Sequence, residues 1–183
     1  FAYGQTGSGK TTLSKLLSQY MGFKRICIRK AYMDVLEQLH SCQLKDEIEE
    51  VLYKGGATSD DLTIRVLQRR ITLADMINEN LVIDGFPCTL SQANMFPVEM
   101  KPDFVFVSEC DTQTNIKRCF ECKEFKGLPD VINERMRELK SHLTDIIQMF
   151  NERKFEVRYF DMTKSKWYLK DLIAAILEDR KKY

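Results

Sequence analysis

The chain has 183 residues, with 28 Lys and Arg against 27 Asp and Glu and a formal charge of +1, a length that suits one domain. An apolar content of 44% can fill a single core, and the near-neutral balance excludes a nucleic-acid or membrane binder that works through a basic field. No run approaches the roughly 18 apolar residues of a bilayer span.

In chain order, Phe1-Ala2-Tyr3 reads as the end of a strand running into a Gly-rich turn. Thr12 to Tyr20 is helical, with Leu13, Leu16 and Leu17 on one face. Arg25 to Ile28 is a short strand, and Ala31 to His40, Leu44 to Lys54 and Asp60 to Met76 are helices, the last two parted by Gly55-Gly56. Asn80 to Asp84 is a buried strand ending at Gly85-Phe86-Pro87, and Phe104 to Val107 is another. Helices follow at about Thr112 to Glu124 and Asp130 to Arg153, then a strand at Val157 to Phe160. Ser165 caps a final helix that runs to about Arg180. Strands parted by helices predict an α/β fold, a doubly wound parallel sheet whose ligands bind at the carboxyl ends of its strands.

Gly4-Gln5-Thr6-Gly7-Ser8-Gly9-Lys10-Thr11 fits G-x-x-x-x-G-K-[ST], with a strand before it and a helix after. Gly4, Gly7 and Gly9 let backbone N–H groups turn in on phosphate oxygens. Ser8, Lys10, Thr11 and Thr12 lie where the helix dipole adds its field. Lys10 reaches the β- and γ-phosphates and the Thr11 hydroxyl suits Mg²⁺. The chemistry read here is nucleoside triphosphate binding, with ATP and Mg²⁺ as the cofactors.

The six cysteines are irregularly spaced in a chain with a core of its own, which predicts free thiols in a reducing, cytoplasmic compartment. Cys119-x-x-Cys122 lacks a second pair of ligands and reads as a helical turn rather than a zinc site.

Leu81-Val-Ile-Asp84-Gly85-Phe-Pro87-Cys88-Thr89-Leu-Ser-Gln92-Ala93 resembles the D-G-F-P-R-T-x-x-Q-A segment of adenylate kinases and related nucleoside-monophosphate kinases. Asp84 falls 74 residues after Lys10, and Tyr53 to Asp60 resembles the K-G-x-x-V-P/S-D segment of the same family. The eleven residues from Phe1 to Thr11 also resemble the phosphate loop of kinesin motors, but the kinesin switch motifs are absent. The adenylate kinase resemblance implies a P-loop fold of five parallel strands over residues 1–183. It implies a monophosphate-binding lobe at about 28–58 and a short or vestigial lid at about 119–130. The first strand is read as truncated, and the chain as a monomeric domain cut from a larger multidomain protein.

The resemblance also implies roles. Lys10 and Thr11 match the triphosphate loop, and Asp84 matches the strand-end acid that holds Mg²⁺ through water. Gln92 matches the amide that reads the AMP adenine, with Gly85 and Thr58 nearby. Arg118 resembles the arginine that stacks on the ATP adenine, and Arg135 the one at the lid base that reaches the transferring phosphoryl group.

Departures from the pattern concern arginines. Cys88 replaces the Arg of D-G-F-P-R, and Ile28 to Met33 lacks every expected residue of T-G-D-x-x-R. Cys122 stands for the second Arg of R-x-x-x-R, and the lid has lost its own Arg. Of the five phosphate-site arginines the resemblance implies, Arg135 alone matches. Arg29 is the nearest substitute on the acceptor side. The expectation is therefore a nucleotide-binding domain with phosphoryl transfer to AMP weak or lost, against the alternative of an active adenylate kinase. The partners expected are adenine nucleotides, with no nucleic acid and no membrane.

Overall fold

Short runs of branched and aromatic residues supply strands, and the longer 3.6-periodic segments between them supply helices. The computed structural model describes residues 1–5, 7–53, 58–121 and 142–180. The strands are β1 (Ala2–Gly4), β2 (Lys24–Cys27), β3 (Leu81–Asp84), β4 (Val105–Glu109) and β5 (Val157–Asp161). The helices are α1 (Lys10–Met21), α2 (Ile28–Gln38), α3 (Gln43–Tyr53), α4 (Asp60–Met76), α5 (Leu90–Met95), α6 (Thr112–Glu121), α7 (142–152) and α8 (Lys166–Arg180).

All strand pairings are parallel and the order is β2-β3-β1-β4-β5. The expected five-stranded sheet is therefore present, with β1 at its centre. Cys27 and Asp84, the last residues of β2 and β3, sit level with each other and with Ala2, and Gly4 at the end of β1 pairs with Ser108 of β4, so the carboxyl ends of these strands face one edge. The chain moves to opposite sides of β1 from that edge, and a crevice for ligands forms there in such sheets.

Alternation along the strands divides the core between two helical layers. On one face Phe106 and Phe160 pack with Leu13 and Leu17 of α1 and with Leu169 and Ile173 of α8. On the other, Val105 and Val107 meet Ile146 and Phe150 of α7. Each such large apolar side chain, fully buried, contributes about 1.5–3 kcal/mol. A third cluster joins α2, α3 and α4 through Tyr32, Val35, Ile48, Leu62 and Val66.

Two differences from the sequence reading concern helix starts. β2 ends at Cys27 and Ile28 already belongs to α2. The short α5 went unread, yet Thr89-x-x-Gln92 is the sequence form of a capping box, and Thr89 Oγ1 accepts from the Gln92 amide at 3.0 Å. The expected helix at 130–153 is seen only over 142–152, and the vestigial lid lies largely outside the described residues. A cavity of about 870 Å³, lined by Phe1, Phe23, Leu81 and Phe104 among others, opens at the amino end of the sheet. It is remote from the strand edge that carries the phosphate loop.

Candidate functional site

The loop after β1 is held by packing that tolerates little else. Gly4 has φ +141°, and a Cβ there would meet the Ser108 carbonyl oxygen at 2.5 Å. Ser8 is buried, its Oγ 2.6 Å from Ser108 Oγ, which donates to the Tyr3 carbonyl at 3.1 Å. Ser108 thus ties the loop to β4. Asn115 of α6 donates to Gln5 Oε1 at 3.0 Å, and Gly7 lies against the same helix, where a Cβ would approach the Asn115 carbonyl to 2.7 Å.

Gly9, at φ +102°, precedes α1 as its N-cap. No side chain caps this helix and its first turn carries no acid, so its N–H groups and positive dipole end suit an anion. Lys10 Nζ donates to the Gln5 carbonyl at 2.6 Å, which folds its amine over the loop. Thr12 is half-buried in the same first turn. These residues fit the phosphates of a nucleotide.

Thr11 Oγ1 donates to Asp84 Oδ2 at 3.1 Å, so the two candidate metal residues do meet. Asp84 has a second partner that the sequence reading missed. Arg25 of β2 reaches the same Oδ2 with Nε at 3.1 Å and with a terminal amine at 2.5 Å. Its Nε also donates to Ser14 Oγ at 2.8 Å, and Ser14 Oγ donates to the Thr11 carbonyl at 3.1 Å. Thr11 fits a Mg²⁺ ion; Asp84, already held by a guanidinium, does not fit a hydrated one in this arrangement. Among the described residues no group of three His, Cys, Asp or Glu is placed to hold a metal. Arg25 carries no signal of its own in the sequence, because Lys24 beside it is a cation too and its carboxylate partner lies 59 residues away.

Arg118 also comes to the loop. Its guanidinium donates to the Met162 carbonyl at 3.0 Å and to Cys110 Sγ at 3.8 Å. Met162 lies over Gly9, with Cε 3.0 Å from where a Cβ would stand. Burial pushes the Cys110 thiol up, with the Arg118 charge opposing it. The segment after β5, the end of α6 and the loop therefore share one wall.

On the other side of Asp84, Gln92 is buried at 8% exposure. Its Nε2 donates to Asp60 Oδ1 at 2.8 Å and its Oε1 accepts from the Cys88 amide at 2.8 Å. The amide can form one further bond through its N–H and one through its lone pair. Thr89 Oγ1 adds a bond to Asp60 Oδ2 at 3.1 Å. Tyr32, where the expected T-G-D-x-x-R motif is missing, is buried and bonded to Thr63 Oγ1 at 2.8 Å. Its burial pushes the phenol up. Gly85 lies half-buried in the turn after β3, whereas Cys88, Thr58 and Arg29 are exposed, Arg29 in the first turn of α2. Arg135 and Cys122 lie outside the described residues.

Ser14, Ser108 and Asn115 also escaped the sequence reading, because small polar residues carry no motif of their own. All three are buried and bonded. Among the described residues Cys27, Cys42, Cys88, Cys110 and Cys119 form no disulfide. No described helix is long and apolar enough to cross a membrane.

Comparison with known proteins gives the family of the chain. Residues 3–137 match a family model described as an AAA domain. The chain is 28% identical over 136 residues to an adenylate kinase of Thermosipho africanus, covering 68% of this chain and 62% of that protein. It is 33% identical over 90 residues to an adenylate kinase of Borrelia garinii, covering 49% and 41%. Human adenylate kinase isoenzyme 5 is 26% identical over 156 residues, 82% of this chain but 27% of the relative. The chain thus spans less than two thirds of each of these relatives. With its loop, parallel sheet and these similarities together, the chain belongs to the P-loop family that the AAA-domain model describes, and within it is adenylate-kinase-like.

Proposed function

We propose that this domain binds ATP through residues 4–12 and Arg118, and that its phosphoryl transfer to AMP is weak or lost. One observation carries the reading. The loop is complete and packed for phosphate, while four positions that should bring arginine to the phosphates do not. Transfer offers a protein little covalent work, so its rate comes from positioning and neutralising developing charge. Arginine does both through a rigid fork that stays charged, which cysteine and methionine do not provide. Removing one such donor commonly costs about 10²–10³ in rate, or about 3–4 kcal/mol. Losing four removes most of the acceleration even though such effects are not additive.

In this reading Lys10 neutralises the triphosphate, Asp84 anchors the loop's far end and Arg135 is the single remaining arginine for the transferring group. Residues 28–58 form the acceptor lobe, with Arg29, Thr58, Gly85 and Gln92 facing a monophosphate. Bound Mg²⁺ would add charge neutralisation at the phosphates, with Thr11 as its protein ligand. The setting proposed is a domain of a larger, cytoplasmic protein. A second reading, a working adenylate kinase, is favoured by Gln92, whose remaining N–H and lone pair suit an adenine edge, and by the names of the relatives.

Thermal melting tests nucleotide binding. At about a hundred times its Kd, ATP adds about 2.7 kcal/mol, or roughly 5–10 °C for a chain of this size. We expect that rise with ATP and its loss in Lys10→Ala, and little or no rise with AMP alone. No rise with ATP would contradict retained triphosphate binding.

A further inference from the structure

The acid at the end of β3 already has a cation of this chain's own. Asp84 is 5% exposed and Arg25 is 29% exposed at the side chain. Both a terminal amine and Nε of Arg25 converge on one carboxylate oxygen, at 2.5 and 3.1 Å. Nε is shared with Ser14 Oγ, which bonds to the Thr11 carbonyl, and the Thr11 hydroxyl returns to Asp84. The closed circuit Arg25–Ser14–Thr11–Asp84 couples the guanidinium to the last residue of the phosphate loop.

We propose that the Arg25 guanidinium takes over the charge that a hydrated divalent cation would bring to Asp84, so that this loop binds a nucleoside triphosphate with little dependence on Mg²⁺. This inference rests on the triphosphate-binding reading given above. An unpaired carboxylate beside the loop would repel a metal-free triphosphate, and a bridging cation removes that repulsion. Here the repulsion is removed within the protein, by a guanidinium. Mg²⁺ keeps its waters tightly and demands near-octahedral geometry. To use Asp84 through water it must displace or sit beside a like charge held by three hydrogen bonds. A Mg²⁺ arriving with the nucleotide is therefore held by the phosphates and Thr11, without the carboxylate that would make it raise affinity.

Calorimetric titration of the 183-residue chain with ATP, once in excess Mg²⁺ and once in EDTA, tests this. The expected result is a Kd that agrees within about threefold between the two conditions. A Kd that weakens by more than about tenfold in EDTA overturns the inference and leaves triphosphate binding standing. Absence of binding in both conditions overturns the triphosphate reading itself and the inference with it. Arg25→Gln, which keeps a hydrogen bond but not the charge, is expected to acquire a Mg²⁺ dependence of about tenfold or more. Arg25→Lys, which keeps the charge, is expected to stay within about threefold. Equal Mg²⁺ independence of folded Arg25→Gln and the parent chain would overturn the assignment to Arg25. Melting curves report whether each variant is folded, and the parent chain's own pair of titrations decides the matter if the variants are not.

Discussion

At the residue scale, the site divides into a half that matches its family and a half that does not. Gly4 to Thr11 could be read directly, because phosphate binding restricts residue types so tightly that the string is its own signal. Arg25 could not, because its partner lies 59 residues away and only the pairing of β2 with β3 brings them together. Cys88 shows the other side of the same point. The sequence reports that an arginine is missing; the fold reports what surrounds the gap. Cys88 is exposed, its Sγ donates to the Gly85 carbonyl at 3.0 Å, and its amide holds Gln92, whose other end holds Asp60. Restoring the fork with Cys88→Arg places a cation beside Gln92, the proposed adenine reader. We expect AMP affinity, measured by calorimetry, to rise about tenfold or more. An unchanged affinity would show that the acceptor pocket is lost and not merely short of charge.

At the element scale, helices with a clean apolar period and a polar cap were legible to their ends. α4 begins and ends where its pattern does, at Asp60 and Met76, with Ser59 accepting from the Leu62 amide at 3.1 Å. The short α5 was not legible by period, because six residues hold less than two turns. Helix α6 matters most to the site, since it carries Asn115 and Arg118 to the loop and the Met162 wall. Asp111 precedes it, with Oδ1 accepting from the Thr114 amide at 2.8 Å and Oδ2 from the Thr114 hydroxyl at 2.6 Å. Those bonds, the hydroxyl's first, hold the Asp111 carboxyl below its ordinary value of 3.8. A carboxyl depressed in the folded state stabilises it above the unfolded value and ceases to do so as pH falls through the folded one. Asp111→Ala should therefore unfold at lower urea than the parent chain at pH 7. That gap should narrow as the pH is taken below 3.8. A gap that stays constant with pH would show that the carboxylate charge contributes nothing.

At the scale of the whole molecule, the alternation of strands and helices was enough to predict a parallel α/β sheet, and the family resemblance supplied its five strands. The order β2-β3-β1-β4-β5 puts the loop after β1, Asp84 of β3 and Ser108 of β4 side by side. That adjacency could not be counted from residues, because it depends on which strands pair and in what register. It also lets the proposed acceptor side change without disturbing the phosphate loop. The loop is fixed by β1, β4 and α6, whereas Gln92, Asp60 and Tyr32 are fixed by α2, α4 and α5. Asp84 bonds to Thr11 of the loop and to Arg25 of β2, so the loop's anchoring does not pass through Gln92, Asp60 or Tyr32. In the proposed reading, binding survives where transfer does not. Production of ADP from ATP and AMP in the presence of Mg²⁺, followed in a coupled assay, is the direct test. With the four arginines lost, the turnover should fall at least about a hundredfold below the usual enzyme range of about 1–10³ per second; a turnover within that range would overturn the proposed reading.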